Sequence, residues 1–446
     1  MLKTLRNAWK VPEIRSKILF TLLILLIYRF GASLPVPFIN YDYIQEIAKV
    51  YSNGSVFAYQ NILSGNAFGN ATLLALSVSP YITASIVMQL LAVAIPALER
   101  LSKNGEEGRK KIERITRYVT IGLAIVTAFG YYRLLRAQSS DLFMYTNGFS
   151  EVFSAIVIIA CYTAGAALVM WFGQKIDEQG IGNGISLILF ANIVSSFPTT
   201  LWTLYETLES AYKATDSTHR SLAAVIVYGT LTVLIIIASI IFVTYMSDAE
   251  RRIPIQYAKR TVGRKMYGGQ SSNLPIKLNM SGVMPIIFAS TIVSLPTTII
   301  YFAGGSEKEG FWKSVYDALS SRSIIYALVL FVLIIAFAYF YISISFNPTE
   351  VATNLMQNGG SIPGIRPGKP TVAYITKVLN KVVLMGAFFL SIVACIPIIL
   401  NVISNGLLNV VSFTGSTLLI VVGVTLETFR ELESQITMRH YKGFLK

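Results

Sequence analysis

Few residues in this chain could carry catalytic or metal-binding chemistry. The sequence has two cysteines and two histidines, and both cysteines, Cys161 and Cys395, lie inside apolar runs. Buried thiols of this kind usually pack as small hydrophobic side chains. The chain also lacks the cysteine pairs, histidine pairs, nucleophile turns and glycine loops of metal, hydrolase and nucleotide sites. We therefore expect no catalytic residue, no metal, no cofactor and no enzymatic activity.

The candidate binding residues are basic, and the first group lies in the stretch from 249 to 269. Ile253, Ile255 and Tyr257 alternate with polar residues and Pro254 disfavours a helix, so the pattern predicts a hairpin-like finger. Its basic residues include Arg251, Arg252, Lys259 and Arg260. Such a finger could dock on nucleic-acid phosphates or on an acidic protein surface. The alternative is that its charge only sets membrane topology and contacts lipid headgroups.

A second candidate is a turn rich in glycine and proline between residues 358 and 371. Its sequence, NGGSIPGIRPGKPT, favours a tight and fixed tip that displays Arg366. A guanidinium group on a rigid turn suits recognition of a carboxylate or a phosphate. The alternative is an ordinary solvated loop arginine that binds nothing.

These loops belong to a chain with the composition of an integral membrane protein. Of its 446 residues, 54% are hydrophobic and 13% are charged, whereas soluble domains carry about 25% charged residues. A helix needs about 20 mostly apolar residues to cross a bilayer. Only Arg29 and Arg133 are charged within ten runs of about this length. The runs are 18–38, 73–95, 118–135, 152–173, 181–198, 222–246, 283–304, 324–346, 382–400 and 407–426.

The basic residues also predict how these helices are oriented. Counted over alternate loops, 28 lysines and arginines lie on one side of the membrane and 8 on the other. By the positive-inside rule the richer side is cytoplasmic, and both termini lie there. The long loops 247–282 and 347–381 and the C-terminal tail fall on the same side. The net charge of +14 is therefore mainly a topology signal.

Ten spans divide into two groups of five around the polar stretch 199–221. An odd number of spans in each group makes the second group enter from the opposite side, which is the arrangement of an inverted repeat. We expect an all-α membrane protein, a bundle of ten transmembrane helices in two inverted halves. Residues 1–200 form the first half and residues 201–446 the second.

The segment 56–72, just before the second span, is apolar but too short and too polar to cross the membrane. Its apolar side chains and the glycines that interrupt it are Phe57, Ile62, Leu63, Gly65, Phe68 and Gly69. Irregular backbone at membrane depth is tolerated only where it packs in protein or lines a cavity. The segment therefore predicts a re-entrant element inside the bundle, with a plain external loop as the alternative.

Six stretches along the chain together resemble the SecY family of protein-conducting channels, in its bacterial branch. In chain order they are LALSVSPYITASIVMQLL from Leu74, GEEGRKK from Gly105, GIGNGISLILFANIV from Gly180, RRIPIQYAKR from Arg251, LPIKLNMSGVMPIIFAS from Leu274 and GIRPG from Gly364. The resemblance covers essentially the whole chain. It implies a pore in the bacterial plasma membrane that passes unfolded polypeptides across the bilayer or sideways into the lipid.

The resemblance also implies roles for individual residues. The segment 56–72 takes the place of a plug, and a ring of aliphatic side chains closes around the passing chain. The ring positions are Val78, Ile82, Leu189, Ile287 and Ile420. Some relatives have isoleucine where this chain has valine and leucine, but the ring stays aliphatic. An apolar constriction excludes water and ions when it is empty, although ordinary bundle packing is the alternative for each residue.

A lateral gate between the second and seventh spans would release apolar helices into the lipid. The polar residues placed at this seam are Gln89, Ser290 and Thr291. The resemblance also matches Arg366 and the finger to loops that bind the motor SecA and the ribosome. It implies SecE and SecG as small membrane partners, and signal peptides and unfolded preproteins as substrates.

Two other classes of membrane protein fit these residues less well. An inverted-repeat secondary transporter of a small solute usually places ionisable residues at the midplane. Here only Arg29 and Arg133 qualify, and both could snorkel toward the external face. An intramembrane protease needs a histidine or paired aspartates at depth, and the ten runs contain neither.

Overall fold

The structure is a computed structural model of a helical bundle with two small sheets. It describes residue 6 and residues 8–40, 57–138, 142–145, 148–213, 222–257, 260–262, 265–267, 271–302, 310–320, 323–403 and 414–443. Parts of two predicted spans, 303–304 and 407–413, lie outside the described residues.

The elements are numbered here in chain order. The helices are α1 (Pro12–Gly31), α2 (Phe57–Leu63), α3 (Ser79–Ala94), α4 (Pro96–Lys103), α5 (Gly105–Gln138), α6 (Gly148–Gln179), α7 (Gly184–Lys213), α8 (Leu222–Asp248), α9 (Met284–Phe302), α10 (Phe311–Ala318), α11 (Ile324–Ser345), α12 (Pro348–Gln357), α13 (Lys369–Ile403) and α14 (Thr414–Gly443). The strands are β1 (Glu250–Tyr257), β2 (Arg260–Val262), β3 (Lys265–Tyr267), β4 (Ser271–Lys277) and β5 (Gly360–Ser361).

Every predicted span coincides with a long helix over most of its length. In chain order these helices are α1, α3, α5, α6, α7, α8, α9, α11, α13 and α14. By length and composition alone, five described helices could cross a membrane, and the bent pair Ser79–Ala94 and Pro96–Ser102 would make a sixth. The apolar stretches Val233–Asp248 and Met284–Ile300 are shorter. The prediction of an all-α, multi-pass bundle is confirmed.

Most helices extend beyond the predicted apolar runs at one end or both, and two of the differences have clear local reasons. The first helix ends at Gly31 and not at residue 38, because the ring of Pro35 would clash with the carbonyl group four residues earlier. The third predicted span begins well before residue 118, since α5 starts at Gly105. Two glutamates in its first turn favour a helix N-terminus, so the helix extends beyond the apolar run.

The predicted finger is a β-hairpin, and it is longer than predicted. β1 pairs antiparallel with β4, with Glu250 opposite Lys277 and Gln256 opposite Ser271. Beyond these strands, β2 and β3 form a second, shorter hairpin. Ile253 is buried in a hydrophobic cluster with residues of α11, α12 and α13. The finger is therefore anchored to the bundle along one of its faces.

The finger also contacts the second of the two predicted cytoplasmic loops, and the sequence did not predict this contact. β5 adds to the other edge of β1, with Gln256 opposite Ser361 and Tyr257 opposite Gly360. Ile362, the next residue, is buried in the same cluster as Ile253. The two loops thus form one three-stranded sheet seated on the ends of α11 and α13.

The helices bring the predicted site residues to the centre of the bundle. α3 packs against α5 and α9, and α9 packs in turn against α11 and α14. α7 packs against α6, α8 and α14, and the short helix α2 lies against α7. The four helices α3, α7, α9 and α14 thereby contribute to one continuous hydrophobic core.

Candidate functional site

The five predicted ring residues are buried in the middle of this core. Val78 immediately precedes α3, which carries Ile82, while Leu189, Ile287 and Ile420 lie on α7, α9 and α14. None of them is more than 5% exposed, and all five belong to one hydrophobic cluster of buried residues. None of the five faces the lipid, as an ordinary outer residue of a bundle would. The structure therefore brings together residues from distant parts of the sequence.

A cavity of about 220 Å³ adjoins this ring. Its lining includes Ile82, Leu189 and Ile287 of the ring, together with Gln89 and Asp177. Asp177 and the end of α6 precede the short connection to α7, which the sequence analysis predicts to be cytoplasmic. We name this cavity the cytoplasmic chamber, and its apolar floor is formed by three of the ring residues.

The segment 57–72 is re-entrant and lies inside the bundle, as predicted. α2 forms its first two turns, and successive turns follow until α3 begins. Tyr59, Leu63 and Ala67 are buried in the same cluster as the ring residues. Ile62 packs against that cluster. Residue 56 and the side chain of Phe57 lie outside what the structure describes.

The amide of Asn192 on α7 holds this segment to the bundle. Its Nδ2 group donates to the Leu63 carbonyl at 2.7 Å, to the Tyr28 hydroxyl at 2.8 Å and to Ser77 Oγ at 3.1 Å. The residue is fully buried, so these bonds satisfy a polar group that has been removed from the solvent. We name the four residues Tyr28, Leu63, Ser77 and Asn192 the latch.

Two predicted plug residues owe their type to close contacts. Gly65 has a positive φ of 65°, and a Cβ atom there would lie 2.4 Å from Nη1 of Arg29. That nitrogen is 3.4 Å from the Gly65 carbonyl and 3.5 Å from Asn192 Oδ1. Gly69 donates its amide to Asn61 Oδ1 at 2.8 Å. Arg29 therefore points at the predicted plug.

Hydroxyl groups tie the other side of the segment to neighbouring helices. Tyr59 on α2 bonds to Ser290 on α9 with an oxygen–oxygen distance of 2.6 Å. Ser79, the first residue of α3, donates to Gln60 at 2.8 Å. The Tyr131 hydroxyl on α5 donates to the carbonyl of Phe68. The segment thus contacts both helices of the predicted lateral gate.

The three predicted gate residues lie on helices that pack together, but they do not bond to one another. Gln89 donates to Ser85 on its own helix at 3.2 Å. Thr291 donates to the Ile287 carbonyl at 2.7 Å, while Ser290 also bonds to its own helix. Gln89 lines the cytoplasmic chamber, whereas Thr291 lines a separate cavity beside α2. Polar contact across the seam runs instead through α2, where Tyr59 bonds to Ser290 of α9 and Gln60 accepts from Ser79 of α3.

The predicted docking arginines project from the three-stranded sheet and the turn beside it. Arg251, Arg252 and Arg366 are exposed. The Nε atom of Arg252 contacts a carboxylate oxygen of Glu250 at 2.7 Å. Arg260 begins β2, its side chain is not described, and Lys259 lies outside the described residues. The structure therefore places the exposed arginines of both loops on or beside one three-stranded sheet.

The geometry accounts for both cysteines as packing residues. Cys395 is buried, and its Sγ atom donates to the Ala327 carbonyl at 3.3 Å. Cys161 is half-buried, and both thiols are free. Among the residues that the structure describes, no group of three or more histidines, cysteines or carboxylates could hold a metal ion.

Comparison with known proteins identifies the family to which this chain belongs. A family model described as SecY matches residues 72–429. The protein translocase subunit SecY of Streptomyces galbus is 40% identical over 459 aligned positions, which cover all of both chains. The chain belongs to the SecY family. Membership of the SecY family gives no support to the alternative of a small-solute transporter.

Solved structures share the SecY fold seen here. One, described as the structure of a protein conducting channel, is 17% identical with a TM-score of 0.63 and covers 96% of each chain. Another, Sec61 in the canine ribosome-channel complex from the endoplasmic reticulum, is 14% identical with a TM-score of 0.59 and also covers 96% of each chain. At these identities the likeness concerns the fold.

Two residues of this SecY-family chain escaped the sequence analysis. Asn192 is a polar side chain within the apolar fifth span, and a search for such residues would have found it. Asp177 follows the fourth span and carries no recognisable signal, because its role depends on the cavity beside it. The roles of both residues depend on contacts between segments that are distant in the sequence.

Proposed function

We propose that this chain is the central pore-forming subunit of a Sec translocon. It conducts unfolded secretory polypeptides across the plasma membrane and releases transmembrane segments sideways into the lipid. The observation that carries the proposal is the aliphatic ring, buried between a polar chamber and a latched plug. In this arrangement a stretched polypeptide could pass, while ions and water are excluded from the empty pore.

The chemistry of the ring suits a substrate of any sequence. Aliphatic side chains make no directional hydrogen bonds, so they cannot select or retain a particular residue. A fixed charge at the same place would hold opposite charges and slow their release. The ring of Val78, Ile82, Leu189, Ile287 and Ile420 therefore acts as a seal that fits around a passing chain.

The distribution of basic residues supports a membrane location and an orientation for the pore. We place the chain in the bacterial inner membrane with both termini in the cytoplasm, because 28 of its basic residues lie on that side. Residues 1–200 and 201–446 would form the inverted halves, with the pore between them. In this role the chain is a channel and not an enzyme.

The proposed partners meet different surfaces of the molecule. SecE and SecG would bind in the membrane, while the motor SecA and the ribosome would dock on the exposed arginines. Ribosomal RNA contacts through these groups would weaken as salt concentration rises. The fold shared with a ribosome-bound Sec61 supports a cytoplasmic docking surface.

Photo-crosslinking of a stalled secretory chain tests the pore directly. Probes at Ile82 and Ile287 should both capture the chain, because these side chains line the chamber floor. A probe at Leu26 on α1 is the control, since that side chain is 69% exposed on the outside of the bundle. Capture at Leu26 but not at Ile82 or Ile287 would contradict a pore at the ring.

The docking role of Arg366 gives a second expectation. We predict that Arg366→Glu slows motor-driven secretion by roughly tenfold or more, because charge reversal removes a charge-assisted contact and adds repulsion. The measurement is transport of a preprotein into vesicles that contain the whole complex and the motor. The tip is exposed and its backbone is held by the Thr371 hydroxyl, so the fold should persist.

Lys377→Glu is the matched control for this variant. Lys377 is exposed on α13, beyond the tip, and its replacement makes the same change of charge. Arg366→Glu should lose transport while Lys377→Glu keeps it. Equal rates in the two variants would show that general surface charge, and not the tip, governs the motor.

A further inference from the structure

The cytoplasmic chamber has a polar wall above its apolar floor. Asp177, Asn183, Ser186, Ser85 and Gln89 all contribute to its lining. Asp177 is exposed at the end of α6, so its carboxylate can be reached from the chamber and from the cytoplasm. This wall offers hydrogen-bond acceptors and one negative charge to a group that binds in the chamber.

The surroundings of Asp177 increase its negative potential. Partial burial raises the pKa of Asp177, and repulsion from the carboxylates of Glu113, Glu431 and Glu178, on α5, α14 and α6, raises it further. Glu178 is partly compensated, because Lys175 contacts it at 2.6 Å. Among the residues that the structure describes, no cation pairs with Asp177, and a carboxylate set among other carboxylates attracts a mobile positive group.

One buried group in the chamber wall lacks a partner. Ser186 is 1% exposed, and its hydroxyl makes no hydrogen bond within the described structure. Its backbone amide donates to Asn183 Oδ1 at 3.1 Å. An unsatisfied buried hydroxyl is costly, and an occupant of the chamber that bonds to it would relieve this cost. The position therefore points to a ligand with hydrogen-bonding groups.

We propose that the chamber binds a lysine or arginine side chain of the passing polypeptide and that Asp177 is its anion. The inference rests on the proposed function and names the part of the substrate that the site prefers. The basic group pairs with Asp177 while neighbouring atoms of the polypeptide bond to Ser186. The apolar floor below then receives the next, uncharged residues.

Asp177→Asn separates this role from a structural one. One carboxylate oxygen of Asp177 accepts from the amide of Gly184 at 2.7 Å and so caps α7. Asparagine keeps an oxygen at that place and removes only the charge. Glu178→Gln is the control, because Glu178 is exposed on the same turn and does not line the chamber.

The experiment uses the complete channel complex and stalled preproteins that each carry a single lysine at a different position. A zero-length carbodiimide crosslinker joins that lysine to a carboxylate in contact with it. We expect a crosslink to Asp177 when the lysine lies just before the ring, and its loss in Asp177→Asn but not in Glu178→Gln. A preprotein with a lysine pair should also be transported roughly two- to fivefold more slowly by Asp177→Asn relative to an alanine version, because an anion outside the ring no longer attracts the basic groups into the chamber.

Two outcomes would overturn the inference. The lysine crosslink could be absent although the Ile287 probe captures the same stalled chain, or Asp177→Asn could transport the lysine and alanine preproteins in the wild-type ratio. In both cases the pore itself would stand. Failure of the Ile287 probe would instead contradict the proposed function, so the two failures are distinguishable.

Discussion

Replacing Ile287 with asparagine is expected to make the resting channel conduct ions. Ile287 is 2% exposed and lies in both the ring and the chamber floor. Burial of an isoleucine side chain contributes about 1.5–3 kcal/mol to the closed state, and the new amide would bind water in the constriction. At 1.4 kcal/mol per factor of ten, the open population should rise roughly tenfold to a hundredfold. Single-channel recording in planar bilayers measures this change.

Ile299→Asn provides the matched control for that substitution. Ile299 lies on the same helix but is 64% exposed, so the same change of side chain occurs away from the ring. A conductance that rises in Ile287→Asn alone supports a hydrophobic seal. Equal leakage in both variants, or none in Ile287→Asn, would contradict it.

Replacing Asn192 with leucine is expected to release the plug. The substitution has a similar volume but removes the three hydrogen bonds of the latch. The Leu63 carbonyl and the Tyr28 hydroxyl would both lose this donor and keep only the longer bonds to Ser77 Oγ, at 3.4 and 3.2 Å. Poorly satisfied buried polar groups cost up to about 1–3 kcal/mol each. The ratio of closed to open channels should fall by roughly tenfold to a hundredfold. Less binding energy would then be needed from a signal peptide, so weak signals should be transported faster.

Ser196→Ala tests whether any polar residue of α7 would give this effect. Ser196 is also buried, one turn further along, but its hydroxyl bonds only to the Ile193 carbonyl of its own helix. We expect normal transport of weak signals and a normal resting conductance in this variant. The latch would be refuted by Asn192→Leu channels that stay closed and discriminate signals as the wild type does.

The span positions could be predicted because they depend on a local property of the chain. Bilayer thickness fixes the length of an apolar run, and the ten runs coincide with helices. Helix ends depend on neighbouring groups as well, which is why Pro35 and the acidic first turn of α5 moved two of them. The prediction of five plus five inverted spans stays a prediction.

The ring could be placed only through the family resemblance. Composition alone cannot separate Ile287 from the many other aliphatic residues in the spans, because packing and pore lining use the same side chains. Its burial beside a cavity became visible only in three dimensions. The resemblance also placed the plug, while the hydrophobic pattern left an external loop open.

The contacts that hold the site together could not be predicted from the sequence. The pairing of β5 with β1 joins residues more than a hundred positions apart, as with Gln256 and Ser361. The latch joins α1, α7 and the segment before α3 in the same way. Such pairings depend on the folded path of the chain, and no local spacing encodes them.

In the proposed channel, the bond between Tyr59 and Ser290 would make one opening depend on the other. Ser290 belongs to the helix that would move aside for a hydrophobic segment to escape into the lipid, and Tyr59 belongs to the stopper that would block the way across. That stopper could not keep its full set of attachments while the helix swings outward. A protein destined for the bilayer and a protein destined for export would then both begin by loosening the same bond.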